Sequence, residues 1–160
     1  MSKAYQYSLL TLTADYAPQA YQLIDLLQEE SDTFTLGAVR DGQQARPGDA
    51  SLPDRTWLVM ANDQQQERSI GIASIDQQEV GIAILKEFQG QGLGKRTVTA
   101  MIAWAKQTGL PWLWLDVQAQ NEVAIHLYQQ FSFEFTGEDS DFTLPNGKVR
   151  QLRRMRLELV

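Results

Sequence analysis

Cysteine is absent from the 160 residues, which excludes a disulfide framework, a thiolate metal site and a cysteine nucleophile, and no metal is expected in whatever site the chain carries. No stretch approaches the roughly 18 unbroken apolar residues of a membrane span. The start, Met1 to Leu12, also lacks the basic segment and long apolar run of a signal peptide, so a cytoplasmic protein without a membrane partner is expected. Lys and Arg are in the minority, 14 against 20 Asp and Glu, for a net charge of -6. Binding to nucleic acid needs clustered cations to neutralise phosphates, so no nucleic-acid partner is expected. An acidic body suits a cationic partner such as an amine, and also keeps a small domain soluble. What is present is an apolar share of 43%, enough to build a core within a single domain spanning 1–160.

Tyr5 to Thr13 reads as a first strand. Asp15 then caps a helix that tolerates Pro18 in its first turn and sets Ala20, Leu23, Ile24 and Leu27 on one face, ending near Glu30. From Ser31 to Arg55 the apolar period is lost and glycine and proline accumulate, which predicts a long loop with a short helix around Thr33 to Val39. Three short β-like segments follow, Thr56 to Ala61, Ser69 to Asp76 and Glu79 to Leu85, spaced as an antiparallel meander. The pattern then changes to a helix from Leu93 to Thr108, a strand from Trp112 to Gln118 and a helix from Glu122 to Phe131. Two closing strands, Phe133 to Gly137 and Leu152 to Leu159, flank a turn at Pro145-Asn146-Gly147. The expectation is an α/β (α+β) domain, one mixed sheet with helices on its faces.

The most informative segment runs from Ile82 to Arg96, a buried-type strand entering a glycine-rich turn that opens an amphipathic helix. Glycines let backbone approach a ligand closely, and the first N–H groups of a helix lack internal partners, so this arrangement suits phosphate. Two familiar phosphate loops fail on spacing. A dinucleotide fingerprint starting at Gly90 and Gly92 needs glycine where Lys95 stands, and a Walker loop ending at Gly94-Lys95 needs glycine at Gln89 and a hydroxyl at Arg96.

What does fit is Gln89-x-x-Gly92-x-Gly94, which resembles the signature with which the GNAT family of N-acetyltransferases holds the pyrophosphate of coenzyme A. A second resemblance lies in Leu115 to Phe133. There a strand is followed by Asn121-x-x-Ala124-x-x-Leu127-Tyr128 and, after Ser132 in place of the family's usual glycine, by Phe133. From Asp116 to Phe133 the match is RimI-like, that is, similar to the ribosomal-protein N-terminal acetyltransferases. The resemblance covers roughly Ser69 to Leu159, and Met1 to Arg55 agrees only in its order of elements. It implies a mostly antiparallel, splayed sheet of about seven strands with helices on both faces.

It also implies an acetyl-CoA site made by Ile82, Ala83, Ile84, Gln89, Gly90, Gln91, Gly92, Leu93, Gly94, Lys95, Asn121 and Tyr128. In the family the pantetheine arm lies between two diverging strands, with a backbone N–H near Ile84 donating to the thioester oxygen. Tyr128, two helical turns after Asn121, matches the tyrosine that protonates the leaving thiolate. A phenol with a pKa of about 10 holds its proton at neutral pH. Asn121 is also placed to cap the following helix. For the base, Asp116 occupies the place of an acid in the RimI-like sequences, with Glu79 or an ordered water as alternatives.

The lone His126, two residues before Tyr128, points off that residue's helix face, and the tryptophans 104, 112 and 114 read as core packing. Arg153, Arg154 and Arg156 read as the solvated basic edge of a strand. Substrate groups are expected at Glu29, Glu30, Asp32 and Phe34 on one wall and Glu138, Asp139 and Asp141 on the other. The function implied is acetyl transfer from acetyl-CoA to a primary amine of a small molecule or a protein N-terminus, with a homodimer as the anticipated assembly. A non-catalytic acyl-CoA-binding module is the alternative, against which Tyr128 and Asn121 stand.

Overall fold

The computed structural model describes residues 4–30, 39–40, 47–144 and 146–160. In chain order its elements are β1 (Gln6–Thr11), α1 (Ala17–Glu30), β2 (Val39–Arg40), β3 (Arg55–Asn62), β4 (Glu67–Asp76), β5 (Glu79–Ile84), α2 (Leu93–Gln107), β6 (Trp112–Gln118), α3 (Glu122–Gln130), β7 (Glu134–Thr143) and β8 (Val149–Glu158). The strands form one sheet in the order β1-β3-β4-β5-β6-β8-β7-β2. Every neighbouring pair is antiparallel except β5 and β6. This is the mixed, mostly antiparallel sheet expected, with the two-residue β2 as an additional strand.

Alternation along the strands decides which helix covers which face. Leu58, Ile72 and Ala83, aligned across β3, β4 and β5, face α1, whose Ala20, Leu23 and Leu27 are buried on them. The opposite face carries Ala73, Ile75, Val80, Leu113, Leu115, Val117 and Met155, covered by Val98, Met101 and Ala105 of α2 and by Tyr128 of α3. Fully burying each large apolar side chain is worth roughly 1.5–3 kcal/mol, so these two layers supply most of what holds the sheet flat against its helices.

Several local expectations change. Asp15 lies inside a 3-10 turn, Ala14–Tyr16, that precedes α1 and has no side-chain cap. Val39, expected to end a short helix, pairs instead with Thr143 of β7. The rest of that helix, 33–38, lies outside the described residues, as do Asp32, Phe34 and Pro145. The closing strands β7 and β8 are longer than their β-formers suggest, because pairing carries the polar run Asp139 to Asp141 along with it. Ser132 takes the left-handed conformation, φ 73°, that a glycine would adopt more cheaply.

Arg154 on β8 is the largest departure. β8 is an interior strand between β6 and β7, and while Arg153 and Arg156 remain partly exposed, Arg154 does not. Three of the strand's arginines lie over aromatic rings: Arg153 over Phe135 at 3.7 Å, Arg154 over Trp114 at 4.6 Å and Arg156 over Trp112 at 4.1 Å. Arg154 is buried and meets Asp116 in a two-point pair, Nε to Oδ1 at 2.9 Å and Nη2 to Oδ2 at 3.1 Å. The side chains of the two residues are 7% and 2% exposed. Hydrogen bonding to Asp116 raises the Arg154 pKa further, so the guanidinium keeps its charge despite burial.

Removing one member of such a pair strands the other as a buried charge. Arg154→Met is expected to cost about 3–5 kcal/mol, seen as a lower midpoint in urea unfolding, and adding Asp116→Leu should restore most of that loss. A double variant no more stable than Arg154→Met would show that the pair is not what ties β6 to β8.

Candidate active site

The strands β5 and β6 run parallel but are bridged at one residue pair only, Glu79 with Trp114. Beyond it they part. On its other side β5 stays zipped to β4, and Leu85 N–H donates to Ile70 O at 2.9 Å. Since alternate residues of an antiparallel strand turn their backbone groups to opposite sides, the N–H groups of Ile82 and Ile84 face the gap, while the backbone of Ala83 faces β4. The Ile84 carbonyl accepts from Gln89 Nε2 at 2.8 Å, which leaves the Ile84 N–H as the donor at the open end. Ile82 and Ile84 thus border the gap with their N–H groups, whereas Ala83 turns its backbone to β4 and its side chain to α1.

Past β5 a short 3-10 turn, Lys86–Phe88, leads into the glycine loop. Gly90 and Gly92 have φ of 80° and 77°, and a Cβ on either would meet nothing within 4 Å. The loop is therefore an open cradle whose backbone conformation suits glycine. The first helical bond of α2 is Arg96 N–H to Gly92 O, so the N–H groups of Leu93, Gly94 and Lys95 have no partner inside the helix and carry its positive dipole end. Lys95 and Arg96 stand exposed beside them. The Tyr7 hydroxyl donates to Gln91 Oε1, tying the loop to the first strand. Open glycines, free helix N–H groups and flanking cations fit a pyrophosphate, and the parted strands beside them fit an extended arm with amide groups of its own.

Tyr128 lies on the same side of the sheet as α2. It is 7% exposed and packs edge-on against Phe133 with ring centroids 5.5 Å apart. The left-handed turn at Ser132 brings Phe133 back to that contact. Burial pushes the phenol up to about 12, so its proton stays in place throughout the neutral range. Asn121 caps α3, its Oδ1 accepting from Ala124 N–H at 3.2 Å. Gly94 allows α3 to come close, since a Cβ there would lie 3.2 Å from Leu127.

Asp116 stands on the gap-bordering strand but on the face opposite Tyr128, with both oxygens taken by Arg154. Glu79 sits at the closed end of the gap, five residues from Ile84, roughly 16 Å along an extended strand. His126 is exposed on α3 and contacts Gln130. Of the two acidic walls, Glu30 uses Oε2 to accept the Lys86 N–H at 3.0 Å, pinning the end of α1 to the end of β5. Asp139 pairs with Arg153 at 3.8 Å on the α2 side of the sheet. Glu138 takes a different direction. Residues 136–138 of β7 all lie opposite Arg154, a bulge opened by Gly137 at φ 84°, and it carries the Glu138 carboxylate to 3.4 Å from Arg154 Nη1. Nothing in the local sequence marks Arg154 as part of this site, since its partners lie on two other strands. The pair Gln77-Gln78, joining two strands by two residues, was detectable as a turn that demands left-handed backbone.

Comparison with known proteins gives the family of the chain. Residues 17–133 match the Acetyltransferase (GNAT) family. The chain is 30% identical over 143 residues to a mycothiol acetyltransferase of Nocardiopsis dassonvillei, covering 82% of this chain and 39% of that protein. It is 33% identical over 67 residues to a [ribosomal protein bS18]-alanine N-acetyltransferase of Haemophilus ducreyi, 41% of this chain and 46% of that one. The chain thus spans less than half the length of these curated relatives. Among solved structures, the spermidine N-acetyltransferase of Vibrio cholerae in complex with CoA and spermine superposes with a TM-score of 0.71 at 20% identity, covering 96% of each chain. With the family match extending over residues 17–133, most of its length, the chain belongs to the GNAT family of acetyltransferases.

Proposed function

We propose that the protein transfers an acetyl group from acetyl-CoA to a primary amine by direct attack, both substrates being bound together. The observation that carries this reading is the joining of the strand gap to the glycine cradle: the backbone donors along β5, Ile82 and Ile84 N–H, lead directly to the unpartnered N–H groups of the helix start, an arrangement suited to a thioester arm that ends in a pyrophosphate. Bound acetyl-CoA supplies a thioester activated for acyl transfer. Gly90, Gly92 and the N–H groups of residues 93–95 hold its pyrophosphate, and the Ile82 N–H bonds its arm.

Because α2 and α3 fill one face of the sheet, the acceptor amine reaches the gap from the other, past Trp112, Trp114 and Arg154. Glu138, 62% exposed at the rim, and the net charge of -6 favour a cationic acceptor, whether a small molecule or a protein N-terminus. The amine nitrogen attacks as the free base. Ile84 N–H donates to the carbonyl oxygen as negative charge develops there. As the nitrogen–carbon bond forms and the carbon–sulfur bond breaks, Tyr128 gives its proton to the departing sulfur and is reprotonated through solvent by the proton the amine loses. Asp116, with both oxygens committed, acts by fixing Arg154 and not as the proton acceptor. Glu79 is out of reach, so the amine's proton passes to water.

Three variants and the wild-type pH profile test this reading. Gly92→Asp puts a carboxylate into the cradle, and calorimetry should show CoA affinity down at least about tenfold, or 1.4 kcal/mol; unchanged affinity removes the phosphate site. Tyr128→Phe keeps the packing and should leave the acetyl-CoA Kd nearly unchanged while lowering kcat by roughly 10²–10⁴-fold. The protonated phenol is the active form and its pKa is about 12, so the wild-type rate should show no descending limb as pH rises through 10. A near-normal rate in the phenylalanine variant assigns Tyr128 to packing. Finally, Asp116→Asn should give a pH profile of kcat/KM parallel to wild type. A deficit confined to low pH, recovering as the amine deprotonates unaided, would make Asp116 the base after all.

A further inference from the structure

We propose that Gln78 is a positioning residue that fixes the vertex of the β5–β6 gap and thereby the width open to the pantetheine arm; this rests on the acetyl-CoA reading above. The two strands share one bridged pair, so the angle at which they part is set at that point and nowhere else along their length. Gln78 stands there, 1% exposed, with its side-chain amide and its backbone carbonyl engaged across elements. Its Nε2 donates to Trp112 O at 2.8 Å, its Oε1 accepts from Asp49 N–H at 2.8 Å, and its backbone carbonyl accepts from Trp114 N–H at 3.0 Å. Gln77 adds to the clamp. Its carbonyl accepts from Trp114 Nε1 at 3.0 Å and its N–H donates to Asp54 Oδ1 at 2.9 Å. Gly48 presses on that carbonyl so closely that a Cβ would fall 1.6 Å from the oxygen.

The backbone shows that this junction is held against its own preference. Gln77 and Gln78 have φ of 49° and 65°. Glycine or asparagine adopts such a turn at lower cost, and non-glycine residues persist in it only where the surroundings over-determine them. A glycine at 78 would relax the turn but supply neither the Trp112 nor the Asp49 bond. The vertex also has leverage. Ile84 lies roughly 16 Å along the strand, so a tilt of about 5° at Gln78 displaces the open end by roughly 1.4 Å. That is the scale of misplacement that costs about 10²-fold in a reaction dependent on alignment.

The test separates the gap from the cradle. Gln78→Met keeps the length and apolar bulk of the side chain and deletes both of its bonds. Binding is measured by calorimetry for CoA and for adenosine 3′-phosphate 5′-diphosphate, which carries the phosphates but no pantetheine. The expected result is a CoA Kd raised by about tenfold or more with the nucleotide's Kd within about twofold of wild type. Asp54→Ala, at an exposed position that removes only the brace on Gln77, should shift CoA binding the same way by about threefold, and it decides the matter if Gln78→Met does not fold. Unchanged CoA binding overturns the proposal. So does parallel weakening of both ligands, which signals general loosening. A wild-type protein that binds neither ligand overturns the acetyl-CoA reading itself, and the proposal with it.

Discussion

Two neighbouring parallel strands that meet at one residue pair and then diverge leave backbone donors and acceptors facing a gap. Every other feature of the site is arranged around that constraint. Backbone polar groups removed from water without partners are costly, so a sheet tolerates such a gap only where something else bonds to it. Gln89 satisfies the Ile84 carbonyl from the protein side. The remaining groups along Ile82 and Ile84 are what make β5 a strand waiting for a partner, and an extended ligand with amide groups of its own is a physically suitable one. The glycine cradle sits at the open end because the chain, on leaving β5, turns directly into the N-terminus of α2.

The parted sheet needs its two halves held separately. On one side, α1 is packed on β3 and β4 and pinned by Glu30 to the end of β5. On the other, β6 is tied to β8 by the buried Asp116–Arg154 pair, with the guanidinium over Trp114. The indole of Trp114 in turn donates to Gln77 at the vertex. A contiguous set of contacts therefore runs from the charged pair to the hinge. Replacing an ion pair by apolar groups often leaves stability unchanged. Here the pair also gives direction, holding a guanidinium on the face opposite Tyr128 with its third nitrogen turned towards Glu138.

Much of this was legible in the chain. The boundaries of β6 agree with expectation, and those of α2 and α3 agree within a residue, because their apolar periods are regular and their ends carry glycine or asparagine. The cradle was legible for a related reason: glycine spacing before a helix has few physical uses. Errors gathered where local preference and pairing disagree. The acidic run in β7 has no preference for strand and is carried into one by β8, and Ser132 occupies a backbone conformation its type disfavours because Phe133 must return to Tyr128.

The sequence by itself determined the class of chemistry, since the glycine loop, Asn121 and Tyr128 are close in the chain to the elements that present them and their spacing encodes their geometry. Only the tertiary structure decided the roles of the charged and amide side chains. Asp116 and Arg154 are 38 residues apart, Asp49 and Gln78 are 29, and Gln78 and Trp112 are 34. An acid on a strand reads the same whether it faces water or a guanidinium. Its partner is chosen by strand order and register, and those depend on the packing of the whole sheet, which no local pattern contains.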